Sequence, residues 1–313
     1  KNAPVPFPPK GTVPVNGYNE LCPGLPKSGD FGHRSLCNYR VIMDNLLSRF
    51  PLGFALLAPA VAWAGLAAAW CAEPGKPAPS YGYDDTPLLP GSPWRVHDRK
   101  RPQPPMVAPA EQPGGAPADA IVLFDGKDLS QWEGGTGKGI EDGSIDILQA
   151  GQIQTRQQFG DCQLHVEWAT PAEADGDAMN WGNSGVFLMG QFEVQIIESH
   201  ASRIYADGIT GAIYGQSPPL VNASRRPGQW QTFDIVFIAP RFAEGKLVRP
   251  AYLTVFHNGV LVQYHREVLG ATMHKLLPAY PPNRSQGPIM LQKHGSAVKY
   301  RNIWVRPLKL DAR

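Results

Sequence analysis

The stretch Tyr252-Leu253-Thr254-Val255-Phe256-His257-Asn258-Gly259-Val260-Leu261-Val262-Gln263-Tyr264-His265 decides the fold. Two runs rich in β-branched and aromatic residues flank Asn258-Gly259. That pair suits a type I′ hairpin turn, in which both central residues take positive φ. His257 is assigned to this turn. Outward from the hairpin the same grammar recurs. In Gln163–Trp168, Leu164, Val166 and Trp168 share one face, and His165 and Glu167 share the other. In Gln231–Ala239, Phe233, Ile235 and Phe237 fall on one side. Further strands are read at Ile121–Phe124, Ser144–Gln149, Gly185–Met189, Phe192–Ile197, Pro288–Gln292 and Lys299–Arg306. About ten short strands divided by Gly, Pro, Asn and Asp are the signature of an all-β domain. No segment sustains a 3.6-residue apolar period. The expected architecture is a β-sandwich of two antiparallel sheets.

Composition supports this reading. Of 313 residues, 33 are Gly and 32 are Pro, so turns are frequent and long helices are not expected. Lys+Arg 29 against Asp+Glu 27 leaves a net charge of +2, which speaks against a strongly basic nucleic-acid binder. The chain contains no P-loop, GxGxxG, GxSxG or HExxH, so nucleotide, dinucleotide, serine-esterase and zinc-protease readings lack a motif. Cys22, Cys37 and Cys71 precede the strands, which leaves Cys162 as the one thiol of the body.

The N-terminal third reads as address and linker. Phe50–Ala72, FPLGFALLAPAVAWAGLAAAWCA, is uncharged, follows Arg40 and Arg49, and ends at Glu73. A basic start, an apolar middle and a small-residue end make a secretory signal peptide. Residues 43–72 are assigned to it, and residues 1–42 to an over-extended or disordered leader. The mature protein is expected to begin between Gly65 and Glu73. N-terminal sequencing of the exported protein checks this, and retention of Phe50 would overturn it. Export implies a periplasmic or extracellular protein of a bacterium, with no stable membrane span after cleavage. Residues 73–117 form a Pro-rich arm. Within it Leu88, Leu89, Trp94 and Val96 either pin the arm to the domain or belong to a loose linker.

Polar residues crowd three strand regions. They are Trp181–Ser199 (WGNSGVFLMGQFEVQIIES), Arg226–Ile235 (RPGQWQTFDI) and Ile289–Gly295 (IMLQKHG) with Val298–Trp304 (VKYRNIW). Together with Leu123–Trp132 (LFDGKDLSQW), these segments resemble the 3-keto-disaccharide hydrolase domain family over about residues 118–309. The resemblance implies a concanavalin A-like jelly-roll sandwich, and an exported hydrolase or lyase that acts on 3-keto-glycosides. The carbohydrate partner follows from it, and no nucleic acid is expected.

The residues themselves supply candidates. Period two puts Glu193 and Gln195 on one face of a strand, about 7 Å apart, where a carboxylate and an amide can grip a sugar. His294 shares parity with Gln292 and is a base candidate near neutral pH. Arg301 is a candidate for holding an enolate oxygen. The catalytic candidates are therefore Glu193, His294 and Arg301. The substrate-binding candidates are Asn183, Gln195, Trp181, Tyr214, Trp230 and Gln292, the aromatics because they sit beside Gly- or Pro-rich loops. A bound divalent metal ion is the one cofactor considered, as an alternative holder of the enolate. No zinc-ligand spacing is present.

The expected chemistry is removal of the C2 proton, elimination of the C1 substituent and addition of water. Two alternatives stand beside it. One is a non-catalytic carbohydrate-binding module. The other is a laminarinase-like retaining glycosidase using Glu193 and Glu198, which requires carboxyls about 5–5.5 Å apart and a bulge to bring Glu198 to the cleft.

Overall fold

A computed structural model describes residues 82–310 apart from 175, 202 and 283. The leader, the signal segment and Cys22, Cys37 and Cys71 lie outside the described residues. The strands begin with β1 (Ile121–Phe124), β2 (Trp132–Gly134), β3 (Ile140–Glu141) and β4 (Ser144–Asp146). A single helical turn, α1 (Ile147–Ala150), leads to β5 (Ile153–Thr155), β6 (Cys162–Ala169), β7 (Ser184–Leu188) and β8 (Phe192–Ile196). Then come β9 (Gln231–Ile238), β10 (Arg241–Ala243), β11 (Lys246–Arg249), β12 (Ala251–His257) and β13 (Val260–Val268). β14 (Met290–Leu291) and β15 (Lys299–Pro307) complete the set.

The strands form a jelly-roll sandwich of two antiparallel sheets. The larger has the order β13-β12-β9-β6-β15-β4-β3, with β1 also paired to β15. The smaller has the order β2-β5-β14-β7-β8. β10 and β11 make a separate hairpin. The inward alternation expected of β6 and β9 places Leu164, Val166, Trp168, Phe233, Ile235 and Phe237 in the core. Val186, Leu188, Phe192, Val194 and Ile196 enter it from the smaller sheet. At the hairpin, Asn258 and Gly259 have φ of 52 and 79, the two positive values a type I′ turn requires.

One polar tie crosses the core. The hydroxyls of Tyr300 on β15 and Ser184 on β7 are 2.6 Å apart, and both residues are fully buried. Ser184 Oγ also donates to the Gln292 carbonyl at 2.6 Å. This satisfies a hydroxyl that would otherwise cost about 1–3 kcal/mol to bury. It also locks the larger sheet to the strands that carry the site.

Two expectations are corrected. Ser144–Gln149 is not one strand. The Asp146 side chain accepts the Leu148 and Gln149 amides, and such an N-cap starts α1 in the middle of the alternation. His257 is not a turn residue but the buried end of β12. Its Nε2 lies 2.8 Å from Gln231 Oε1, its ring stacks on Trp168, and burial pushes its pKa down to about 4. In the arm, Leu88 is exposed and residues 82–101 bond among themselves, as in the Leu89 amide to Trp94 carbonyl bond. The arm reaches the sandwich through Gly114, whose carbonyl accepts from Asn302 Nδ2 and Trp304 Nε1, each at 2.9 Å.

Cys162 is buried, and its thiol is pushed up to about 12 by burial, which keeps it unreactive. Among the described residues no helix is long and apolar enough to cross a membrane.

Candidate active site

β7 and β8 present their inward residues to the core and their alternate residues to the opposite face. Phe187 pairs with Glu193, and Gly185 with Gln195, on that outer face. β8 is the last strand of its sheet, but its free edge is occupied. The Gln195 amide donates to the Ala212 carbonyl at 3.0 Å, the Tyr214 amide to Glu193 at 3.2 Å, and the Glu193 amide to Thr272 Oγ1 at 3.2 Å. Two loops distant in sequence are thereby laid beside Glu193.

The result is a cavity of about 420 Å³ whose floor is the outer face of β7, β8 and the residues after β14. Glu193, Gln195, Asn183, Gln292 and His294 supply its polar lining, and Met179, Phe187, Ile197 and Ile204 its apolar lining. Its volume falls in the range of small-molecule pockets, which combine apolar walls with a few polar groups. Tyr205, Tyr214 and His274 come from the two loops.

Glu193 is 5% exposed. Its carboxylate makes no hydrogen bond or ion pair among the described residues, and burial pushes its pKa up to about 8. Two tyrosine hydroxyls, those of Tyr214 and Tyr300, lie within its electrostatic reach. Gln195 Nε2 donates to Asn183 Oδ1 at 3.3 Å, and Asn183 Nδ2 to the Met179 carbonyl at 2.7 Å, so this amide pair is held in place. Gln292 Oε1 is a buried acceptor with no partner, an opening for a ligand hydroxyl. His294 is exposed at the mouth.

The structure thus brings six of the sequence candidates together: Glu193, His294, Asn183, Gln195, Tyr214 and Gln292. It sets the others apart. Arg301 is a correction. Tyr300 points into the core, so Arg301, its neighbour on β15, faces outward from the other sheet. There it pairs with Glu167 at 2.7 Å and lies 4.0 Å from the centroid of Trp230. Trp230 is spent on that contact. Trp181 is half-buried with Nε1 donating to the Pro171 carbonyl at 3.1 Å, outside the cavity lining. These tryptophans therefore form no flat sugar-stacking strip.

Glu198 is also set apart. No bulge interrupts the β7–β8 register, so residues 193, 195 and 197 stay on the cavity face while Glu198 turns away. Its Oε1 accepts the His200 and Ala201 amides at 2.6 and 3.0 Å.

Tyr205, Thr272 and His274 were not picked from sequence. A cation in this cavity would find a single carboxylate, that of Glu193. Among the described residues no three His, Cys, Asp or Glu side chains are grouped to hold a metal. The donor set does not fit a divalent ion.

Residues 119–306 match the 3-keto-alpha-glucoside-1,2-lyase-like domain, and the chain belongs to that family. This makes it a carbohydrate-active, glycosyl-hydrolase-like protein. A solved Parabacteroides distasonis protein provisionally named glycosyl hydrolase is 42% identical, with a TM-score of 0.64. The match covers 70% of this chain and 99% of that one. A second protein from the same organism, named in the same way, is 23% identical with a TM-score of 0.46, over 60% and 99% of the two chains. No curated protein is similar to the chain.

Proposed function

We propose that the protein is an exported enzyme that cleaves 3-keto-glycosides by removing the C2 proton, expelling the C1 substituent and adding water. The observation that carries this reading is the lone carboxylate. Among the described residues Glu193 is the only Asp or Glu lining the cavity. Direct glycoside hydrolysis, retaining or inverting, ordinarily needs two carboxyls flanking the bond. A 3-keto sugar needs one base, because the ketone makes its C2 proton removable and stores the resulting charge as an enolate.

Glu193 is suited to that task. Its pKa of about 8 lies near neutrality, where a general base combines availability with strength. Asn183 and Gln292 are placed to hold sugar hydroxyls. The Gln195 Nε2 hydrogens are taken by Asn183 Oδ1 and the Ile196 carbonyl, so His294, exposed at the mouth, is the donor that would meet the enolate oxygen, a role typically worth about 10²–10³ in rate. Export rests on the Phe50–Ala72 run.

The test is to incubate the protein with a 3-keto-glucoside and with the matching plain glucoside. Turnover of the first alone is expected. Cleavage of the plain glucoside would overturn the mechanism, and binding of oligosaccharides without turnover of either would make the chain a binding module.

A further inference from the structure

The cavity holds a second chemical device besides Glu193. Tyr214 Oη lies 2.9 Å from Tyr205 Oη and 2.7 Å from His274 Nδ1. The Tyr214 ring is stacked on His274, with centroids 6.3 Å apart and planes at 19°. All three side chains line the cavity, and His274 is also exposed to solvent. The backbone explains the placement. Tyr214 is fixed against β8 by the hydrogen bond its backbone N–H donates to the Glu193 backbone carbonyl, and the His274 loop by the one the Thr272 N–H donates to the Gln191 carbonyl at 2.9 Å.

Counting protons gives the array a direction. A phenol has one proton to donate. When His274 Nδ1 is bare, Tyr214 donates to it and Tyr205 donates to Tyr214, so the array offers the cavity no proton. When His274 is an imidazolium, Nδ1–H donates to Tyr214, Tyr214 donates to Tyr205, and the Tyr205 proton is free for a ligand. The charged groups facing Tyr214 are Glu193 from β8 and Asp207 from the 3-10 turn at 206–208; Lys275 follows His274 in the chain. Burial, the Tyr205 hydrogen bond and these two acids raise the Tyr214 pKa, so its hydroxyl stays protonated and passes a proton on.

We propose that His274, Tyr214 and Tyr205 form the general-acid relay that protonates the departing glycosidic oxygen. The proposal rests on the elimination reading above. In the first half-reaction the Glu193 carboxylate takes the C2 proton, the C1=C2 bond forms and the C1–O bond breaks. The leaving oxygen takes the Tyr205 proton, replaced in turn from Tyr214 and the His274 imidazolium. In the second half, water adds its oxygen to C1, its proton returns along the relay to His274, and Glu193 gives its proton back to C2. Nothing is oxidised or reduced overall, and one water is consumed.

The experiment compares two leaving groups on the full-length protein. A 3-keto-glucoside with an alkyl alcohol needs its leaving oxygen protonated; one with 4-nitrophenol does not. Tyr214→Phe keeps the ring and its stacking but cuts the relay. In the first turnover it is expected to slow release of the alkyl alcohol at least about 10²-fold more than release of 4-nitrophenol, a readout that precedes the water addition in which the relay serves both substrates. Tyr205→Phe should repeat the pattern, and a melting curve equal to wild type shows that the fold is intact. Equal slowing of both substrates, or of neither, overturns the relay while leaving the elimination reading in place. If wild type cleaves neither 3-keto-glucoside, the reaction itself is wrong and the relay falls with it.

Discussion

Glu193→Gln is expected to lower the rate on a 3-keto-glucoside by about 10²-fold or more, the usual worth of a general base, and at the same time to raise the melting temperature at neutral pH. The two effects share one cause. The carboxyl is buried without a partner, and its folded pKa is raised from 4.5 to about 8. Below 4.5 both folded and unfolded states hold the proton, and burial of the charge costs nothing. As the pH rises, the unfolded chain ionises first, so the folded state loses stability until the folded group also ionises near 8. The loss at pH 7 is on the order of 3 kcal/mol.

Glutamine has the same shape and no charge, so it removes that loss. For a domain of this size about 1 kcal/mol moves the midpoint by about 2–4 °C. The variant should therefore melt higher than wild type at pH 7–8 and equal to it at pH 4. On the 4-nitrophenyl 3-keto-glucoside, whose leaving group needs no proton, wild-type kcat/KM should climb with pH and level off near 8. A variant that is slow but equally or less stable at every pH would show that Glu193 is not a stressed, unpaired carboxylate. The trade of stability for activity is what an active site built on a buried base should display.

Much of this architecture was legible because the interior of a sandwich imposes period two on its strands. β6, β9 and the β12–β13 hairpin follow directly from where Leu164, Phe233 and Asn258-Gly259 fall. The short strands β2, β3 and β5 span only two or three residues each and show no alternation to read. Asp146 broke a strand pattern by capping, a side-chain to backbone bond that hydropathy does not register. In the site, the parity of Glu193 and Gln195 gave their face correctly. Parity does not say which of two sheets that face belongs to. That is why Arg301, with equally good strand credentials, turned out to lie on the outer side of the other sheet. Tyr205 and His274 were hidden for another reason. They enter the cavity on loops that dock along the edge of β8, and loop docking leaves no periodic trace.

Gly185→Ala is the substitution whose outcome most directly joins that sequence pattern to the chemistry. Gly185 lies in β7 opposite Gln195, on the cavity face. A methyl group there would stand 2.3 Å from Glu193 Oε1 and 2.9 Å from its Cγ and Cδ, and these are the three atoms nearest to it. Its backbone is outside the left-handed region, so alanine is tolerated by the chain itself. Alanine in an element interior is favoured over glycine by roughly 0.5–1 kcal/mol. What must give way is the end of a flexible side chain, which swings aside. The fold should persist, with a melting temperature near wild type. The base, however, is displaced by more than an ångström from the proton it must take, and such a misplacement costs about 10²-fold. Residues that act as a unit do not add, so Gly185→Ala combined with Glu193→Gln should be no slower than Glu193→Gln alone. Near-normal activity in Gly185→Ala would mean that the carboxylate can leave its position over β7 without consequence, and the proton would then have to be taken by His294.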